Sequence, residues 1–259
     1  MKNITVSAAR VRTFCLVALL TLIGVPVATL ADRTAEARPE LSSAVAVSAA
    51  TAAVTATSST AAVSTFDPAA WQDVEVGDIN AEVFETALKA AANAIERGDV
   101  TDPGTLTVID FSRPSTERRM WVYDLRARAL LFDELVSHGR GSGLAKATAF
   151  SNVPESNRSS LGLYRTAETY IGKHGYSLRI DGLEPGVNDR ARERAIVIHA
   201  ADYVNEKSAR AQGYLGRSLG CPALRPEVAR QVIDTVKGGG LIFAYYPDPN
   251  WLRTSKYLG

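Results

Sequence analysis

Read for period, the chain divides into segments of different character. Val83, Ala87, Ala91 and Ile95 recur every four residues, with Phe84 and Leu88 beside them. That spacing places one apolar stripe on a helix, with Asn80 suited to cap its start and Gly98 to end it. From Thr105 the period shortens to two. Leu106–Ile109, Met120–Tyr123, Leu130–Val136, Tyr176–Ile180, Ala195–Ile198 and Leu241–Tyr246 are predicted strands, separated by turn-forming residues. Pro226–Lys237 returns to helical spacing, with Pro226 suited to the first helical position and Val228, Val232 and Val236 on one face. The expected fold is mainly β (α+β), a mixed β-sheet sandwich with a few helices.

The first hundred residues read differently. Lys2, Arg10 and Arg12 form a positive start, and Phe14–Ala31 continue without a charge. This is a secretory signal pattern, with Thr29-Leu30-Ala31 as a cleavage site and Ala35-Glu36-Ala37 as a second. Gly24 and Pro26 argue against an anchor that spans a membrane. Ser42–Thr65 contains only Ala, Ser, Thr and Val, the composition of a tether. The expected organisation is a signal peptide (1–31), a linker (32–70), an N-terminal helical segment (71–100) and a catalytic domain (101–259) on which that segment packs. An exported, periplasmic or wall-associated protein is the consequence, with no stable membrane span after cleavage.

Composition changes this picture little. The 259 residues are 46% hydrophobic and 22% charged, with a formal net charge of +1. No nucleic-acid partner is implied by so balanced a charge. The cysteine count matters more, because Cys15 leaves with the signal peptide and Cys221 then stands alone. In an exported protein such a cysteine is a free thiol, an intermolecular bridge or a nucleophile.

Its surroundings favour the nucleophile. A β-branched run, Ile196-Val197-Ile198, leads to His199, and Gly216-Arg217-Ser218-Leu219-Gly220 leads to Cys221. A histidine on a strand and a cysteine in a glycine-bearing loop suit acyl transfer, the imidazole accepting the thiol proton and the thiolate attacking a carbonyl. Pro222 lacks an N–H, so local oxyanion donors are expected from Cys221 and Gly220, with Ser218 bracing the loop. Gly139–Gly143 has neither the Lys-Ser/Thr of a phosphate loop nor a nucleophile elbow, and reads as a turn lining the cleft. His138, His174, His199 and Cys221 are zinc-ligand types, which makes a zinc metallopeptidase an alternative, but no pair has the spacing of a metallopeptidase motif, so no metal or cofactor is expected.

His199 followed by Ser218-Leu219-Gly220-Cys221 resembles the L,D-transpeptidase catalytic motif, a strand histidine preceding Ser/Thr-x-Gly-Cys. Ile109–Ser112, Val136–Gly143, Phe150–Asn152, Gly172–Gly175, Ile196–Val204 and Gly216–Ala223 extend the resemblance to the L,D-transpeptidase catalytic-domain-like branch, over about Leu106–Tyr246. Two positions depart from the common pattern: Leu219 stands where a second histidine is usual, and Ala200 where a glycine is. The resemblance implies peptidoglycan stem peptides as substrate, a Cys221 thioester formed with release of D-alanine, and a 3→3 crosslink when an amine resolves it. Water as acceptor would give an L,D-carboxypeptidase, and the missing histidine leaves a non-catalytic wall-binding homologue as a further alternative. His138, His174, Arg217, Arg225 and Tyr203 are the expected substrate contacts.

Overall fold

A computed structural model describes residues 66–259. The expected signal peptide and the linker up to residue 65 lie outside the described residues. Of the linker's end, Pro68–Trp71 forms a 3-10 turn that buries Trp71. Helix α1 (Ala81–Glu96) carries the predicted stripe, and the Asn80 side chain accepts the Val83 N–H at 3.2 Å. Its buried face packs on two adjacent inner strands of the sheet, the first and last in the chain, so helix and sheet share one core.

Eight strands form one mixed sheet: β1 (Thr105–Asp110), β2 (Met120–Asp124), β3 (Ala129–Glu134), β4 (Gly162–Gly172), β5 (Gly175–Gly182), β6 (Val197–Ala200), β7 (Ala223–Leu224) and β8 (Leu241–Tyr245). Their order is β3-β2-β1-β8-β4-β5-β6-β7, with β1/β8 and β6/β7 parallel and the remaining neighbours antiparallel. Central β1 is buried along its whole length, as a strand covered on both faces must be. The short α2 (Glu206–Gln212) precedes the cysteine loop, α3 (Pro226–Val236) packs against β1, β5 and β6, and α4 (Pro249–Thr254) lies near the end of the chain. The expectation of a mainly β fold with few helices holds.

Among the elements that differ from the periodicity reading, three do so for a plain physical reason. Strand β4 escapes it because a register shift between Thr166 and Thr169 breaks the alternation of inward and outward side chains. Strand β6 begins at Val197, since Ala195 takes φ +52° and turns the chain before the ladder starts. Helix α2 buries only Ala209 and so carries no apolar stripe to detect.

Two placements matter for the site. Ladder β6/β7 sets His199 beside Ala223, two residues after Cys221, and ladder β5/β6 sets Ser177 on its other side. A small second core of Leu135, Val204, Ala209, Leu215 and Ala223 underlies β7 and the loop leading to the cysteine.

Candidate active site

His199 sits inside β6, buried, with its ring stacked on His174. Its Nδ1 lies 2.8 Å from the Ala200 carbonyl oxygen. A carbonyl can only accept, so Nδ1 carries the proton and Nε2 keeps a free lone pair. Burial pushes the His199 pKa below the ordinary histidine value. The Ala200 carbonyl opposes that shift, while His174 and Lys173 reinforce it. The imidazole is therefore neutral near pH 7.

Cys221 is a half-buried free thiol whose Sγ lies 3.7 Å from the Ala195 carbonyl. Burial raises its pKa, opposed by the Val197 N–H and by the positive charges of Arg194 and Lys173. The resting group is thus a protonated thiol that needs a base, unlike a preformed thiolate.

The loop before it is held by two hydroxyls. Ser218 Oγ accepts the Gly220 N–H at 3.0 Å and donates to the Cys221 carbonyl at 2.6 Å, while Ser159 Oγ donates to the Gly220 carbonyl at 3.1 Å. Gly220 is required here twice over: its φ is +129°, and a Cβ would stand 2.8 Å from the Arg158 carbonyl and 2.9 Å from Ile196 Cδ1. The bracing role expected of Ser218 is present. The Gly220 N–H, expected as an oxyanion donor, donates to Ser218 Oγ. The Cys221 N–H makes no hydrogen bond among the described residues.

The expected substrate contacts separate into two groups. His138 is fully buried, its Nδ1 accepting from Arg119 Nη2 at 2.9 Å, and its pKa is pushed down to about 4 by burial and by the Arg119 charge. Its ring is held between Arg119 and, at 3.4 Å, the Gly143 carbonyl. Arg225 is committed as well: its Nη2 lies 2.8 Å from both carboxylate oxygens of buried Glu134 and its Nε 3.0 Å from one of them. A substrate carboxylate would have to displace Glu134.

Arg217 and Tyr203 are half-buried. With Arg140 and Tyr214 they line a shallow cleft of about 360 Å³. Arg217 donates to the Gly143 carbonyl at 2.9 Å and lies over the Tyr214 ring. Burial raises the Tyr203 pKa, and negative charge on Cys221 adds to the rise, so the phenol stays a donor. His174 is exposed at the β4–β5 turn, with Lys173 beside it.

Arg194 also lies at the cysteine loop, a placement that sequence reasoning missed. It donates to the Ser151 carbonyl at 2.8 Å, to Ser160 Oγ at 2.6 Å and to the Arg158 carbonyl, and its Nη2 lies 3.3 Å from where a Gly220 Cβ would be. Set after the charged run Asp189-Arg190-Ala191-Arg192-Glu193, it looks like surface, and no sequence signal marks it. Among the described residues no group of three His, Cys, Asp or Glu side chains is placed to hold a metal ion.

A family model described as L,D-transpeptidase catalytic domain matches residues 75–245. No curated protein matches the chain. Similar solved structures include an L,D-transpeptidase from Mycobacterium smegmatis (16% identity, 55% of this chain and 59% of that one, TM-score 0.35). Two others are L,D-transpeptidases from Mycobacterium tuberculosis (16%, 56% and 59%, 0.37) and Stackebrandtia nassauensis (12%, 65% and 68%, 0.35). The matched part spans 59% of each of the two mycobacterial chains.

Proposed function

The chain belongs to the L,D-transpeptidase catalytic-domain family, and from that premise we propose that it transfers acyl groups of peptidoglycan stem peptides through a thioester on Cys221. The carrying observation is the state of His199: buried, neutral and holding its proton on Nδ1, it keeps a vacant Nε2 on a strand whose neighbour, β7, begins two residues after the cysteine. In the first step Nε2 takes the Cys221 proton and Sγ attacks the carbonyl carbon of the third stem residue. Oxygen charge then develops, with the unpartnered Cys221 N–H and the protonated Tyr203 phenol as its donors. As the C–N bond breaks, the His199 imidazolium returns the proton to the departing D-alanine nitrogen.

Resolution reverses these roles. An amine from a second stem attacks the thioester, His199 accepts its proton, and the Cys221 thiolate leaves and is reprotonated, giving a 3→3 crosslink. Arg194 and Lys173 stabilise the thiolate each time it forms. A wall substrate calls for export, which the Lys2–Ala31 pattern would supply.

The test is D-alanine release from tetrapeptide muropeptides by purified protein. Release is expected to vanish in Cys221→Ala and after iodoacetamide, and to survive EDTA. Loss with EDTA, or release by Cys221→Ala, overturns the thioester route. Product masses then separate acceptors: crosslinked dimers support transpeptidation, whereas tripeptides alone correct the proposal to an L,D-carboxypeptidase.

A further inference from the structure

The turn between β4 and β5 is a two-residue hairpin loop. Gly172 pairs with Gly175, Gly175 takes φ +72°, and Lys173 and His174 form the tip. Strand β5 continues from it beside β6, with Ser177 opposite His199. The turn therefore folds back over the end of that ladder, and the His174 ring lies on the His199 ring with centroids 4.3 Å apart and planes 27° apart. An exposed, polar hairpin tip does not need a ring stacked on a buried one for its own stability. The contact serves the histidine beneath it.

We infer that His174 is a positioning residue for His199, supplying the aromatic face against which the base is held. This builds on the reading of His199 as the base. The bond from Nδ1 to the Ala200 carbonyl restrains one edge of the His199 ring and leaves its tilt free; the stack removes that freedom. When the Cys221 proton reaches Nε2, the ring that receives it is already held in place by the His174 ring. Besides Cys221, from which it takes the proton, the charged or titratable groups that bear on His199 include His174 and Lys173, both from this turn. A positive charge on either opposes protonation of His199, so the turn also lowers the pH at which the base becomes available.

The experiment compares the full chain with His174→Ala and His174→Phe, reading kcat and KM for D-alanine release and the ring titration of His199 by NMR. His174→Ala is expected to lower kcat roughly three- to tenfold, the range for loss of one aromatic contact, with KM unchanged. Its His199 titration should move to higher pH, because both a shielding ring and an opposing charge are gone. His174→Phe keeps a ring without a charge and should recover most of kcat while its titration still moves upward. A change in KM alone marks a substrate contact and overturns the inference. So does a Phe variant no better than Ala, or an unmoved His199 titration. Failure of the wild type to release D-alanine refutes the thioester reading instead, and the titration then decides the stack alone.

Discussion

Removing the Ser218 hydroxyl is the sharpest perturbation of the cysteine loop. Ser218→Ala deletes two hydrogen bonds, the one accepted from the Gly220 N–H at 3.0 Å and the one donated to the Cys221 carbonyl at 2.6 Å. Each is worth about 1 kcal/mol net, and a buried N–H left without a partner costs about 1–3 kcal/mol. Ser218 is 5% exposed, so little water can replace what is lost. A loss of about 2–3 kcal/mol in urea unfolding is expected, together with slower alkylation of Cys221 by iodoacetamide, because the thiol is no longer held against the Val197 N–H. Ser218→Thr keeps the hydroxyl and should restore both. If Ser218→Ala unfolds within about 0.5 kcal/mol of wild type, the normal range for a surface change, and alkylates at the wild-type rate, the hydroxyl does not organise the loop.

Two further predictions concern Arg225 and His138, which the fold commits to internal partners. Arg225→Met leaves Glu134 buried without its partner, and a loss of roughly 3 kcal/mol is expected, the low end for a broken buried pair. KM for the stem peptide should be unchanged, and a raised KM with unchanged stability would return Arg225 to the substrate. The fully buried His138 titrates at about 4 in the fold and near the ordinary value of 6.5 in the unfolded chain. A depressed histidine pKa means that the unfolded state binds the extra proton between those values. Stability is thus present above pH 6.5 and lost as pH falls toward 4, by about 2 kcal/mol between pH 7 and pH 5. In His138→Gln that part of the pH dependence should disappear; an identical pH profile would show that His138 is protonated inside the fold.

The features legible in the sequence are those written locally. The four-residue stripe of α1, the alternation of β1 and β2, the Pro226 start of α3 and the pairing of a strand histidine with a glycine-loop cysteine all lie in short windows. Strand β4 is hidden by a bulge, because a broken alternation leaves no period to count. An oxyanion role for Gly220 rests on backbone donors alone, and the neighbouring Ser218 hydroxyl competes for that N–H. His138 and Arg225 look available for substrate because nothing nearby in the chain shows that Arg119 and Glu134 claim them. The stack of His174 on His199 depends on the β5/β6 register, and Arg194 on the fold of three separate loops. Both are non-local, and neither can be read from spacing.

The central claim is a covalent bond between Cys221 and the acyl part of a stem peptide. Intact-protein mass spectrometry after brief incubation with a tetrapeptide muropeptide, quenched in acid to preserve a thioester, tests it directly. The account predicts a mass increase equal to the substrate less D-alanine, mapped to the peptide containing Cys221, absent in Cys221→Ala and accumulating more slowly in His199→Ala. Undiminished D-alanine release by Cys221→Ala, or an adduct mapped to any other residue, would contradict it.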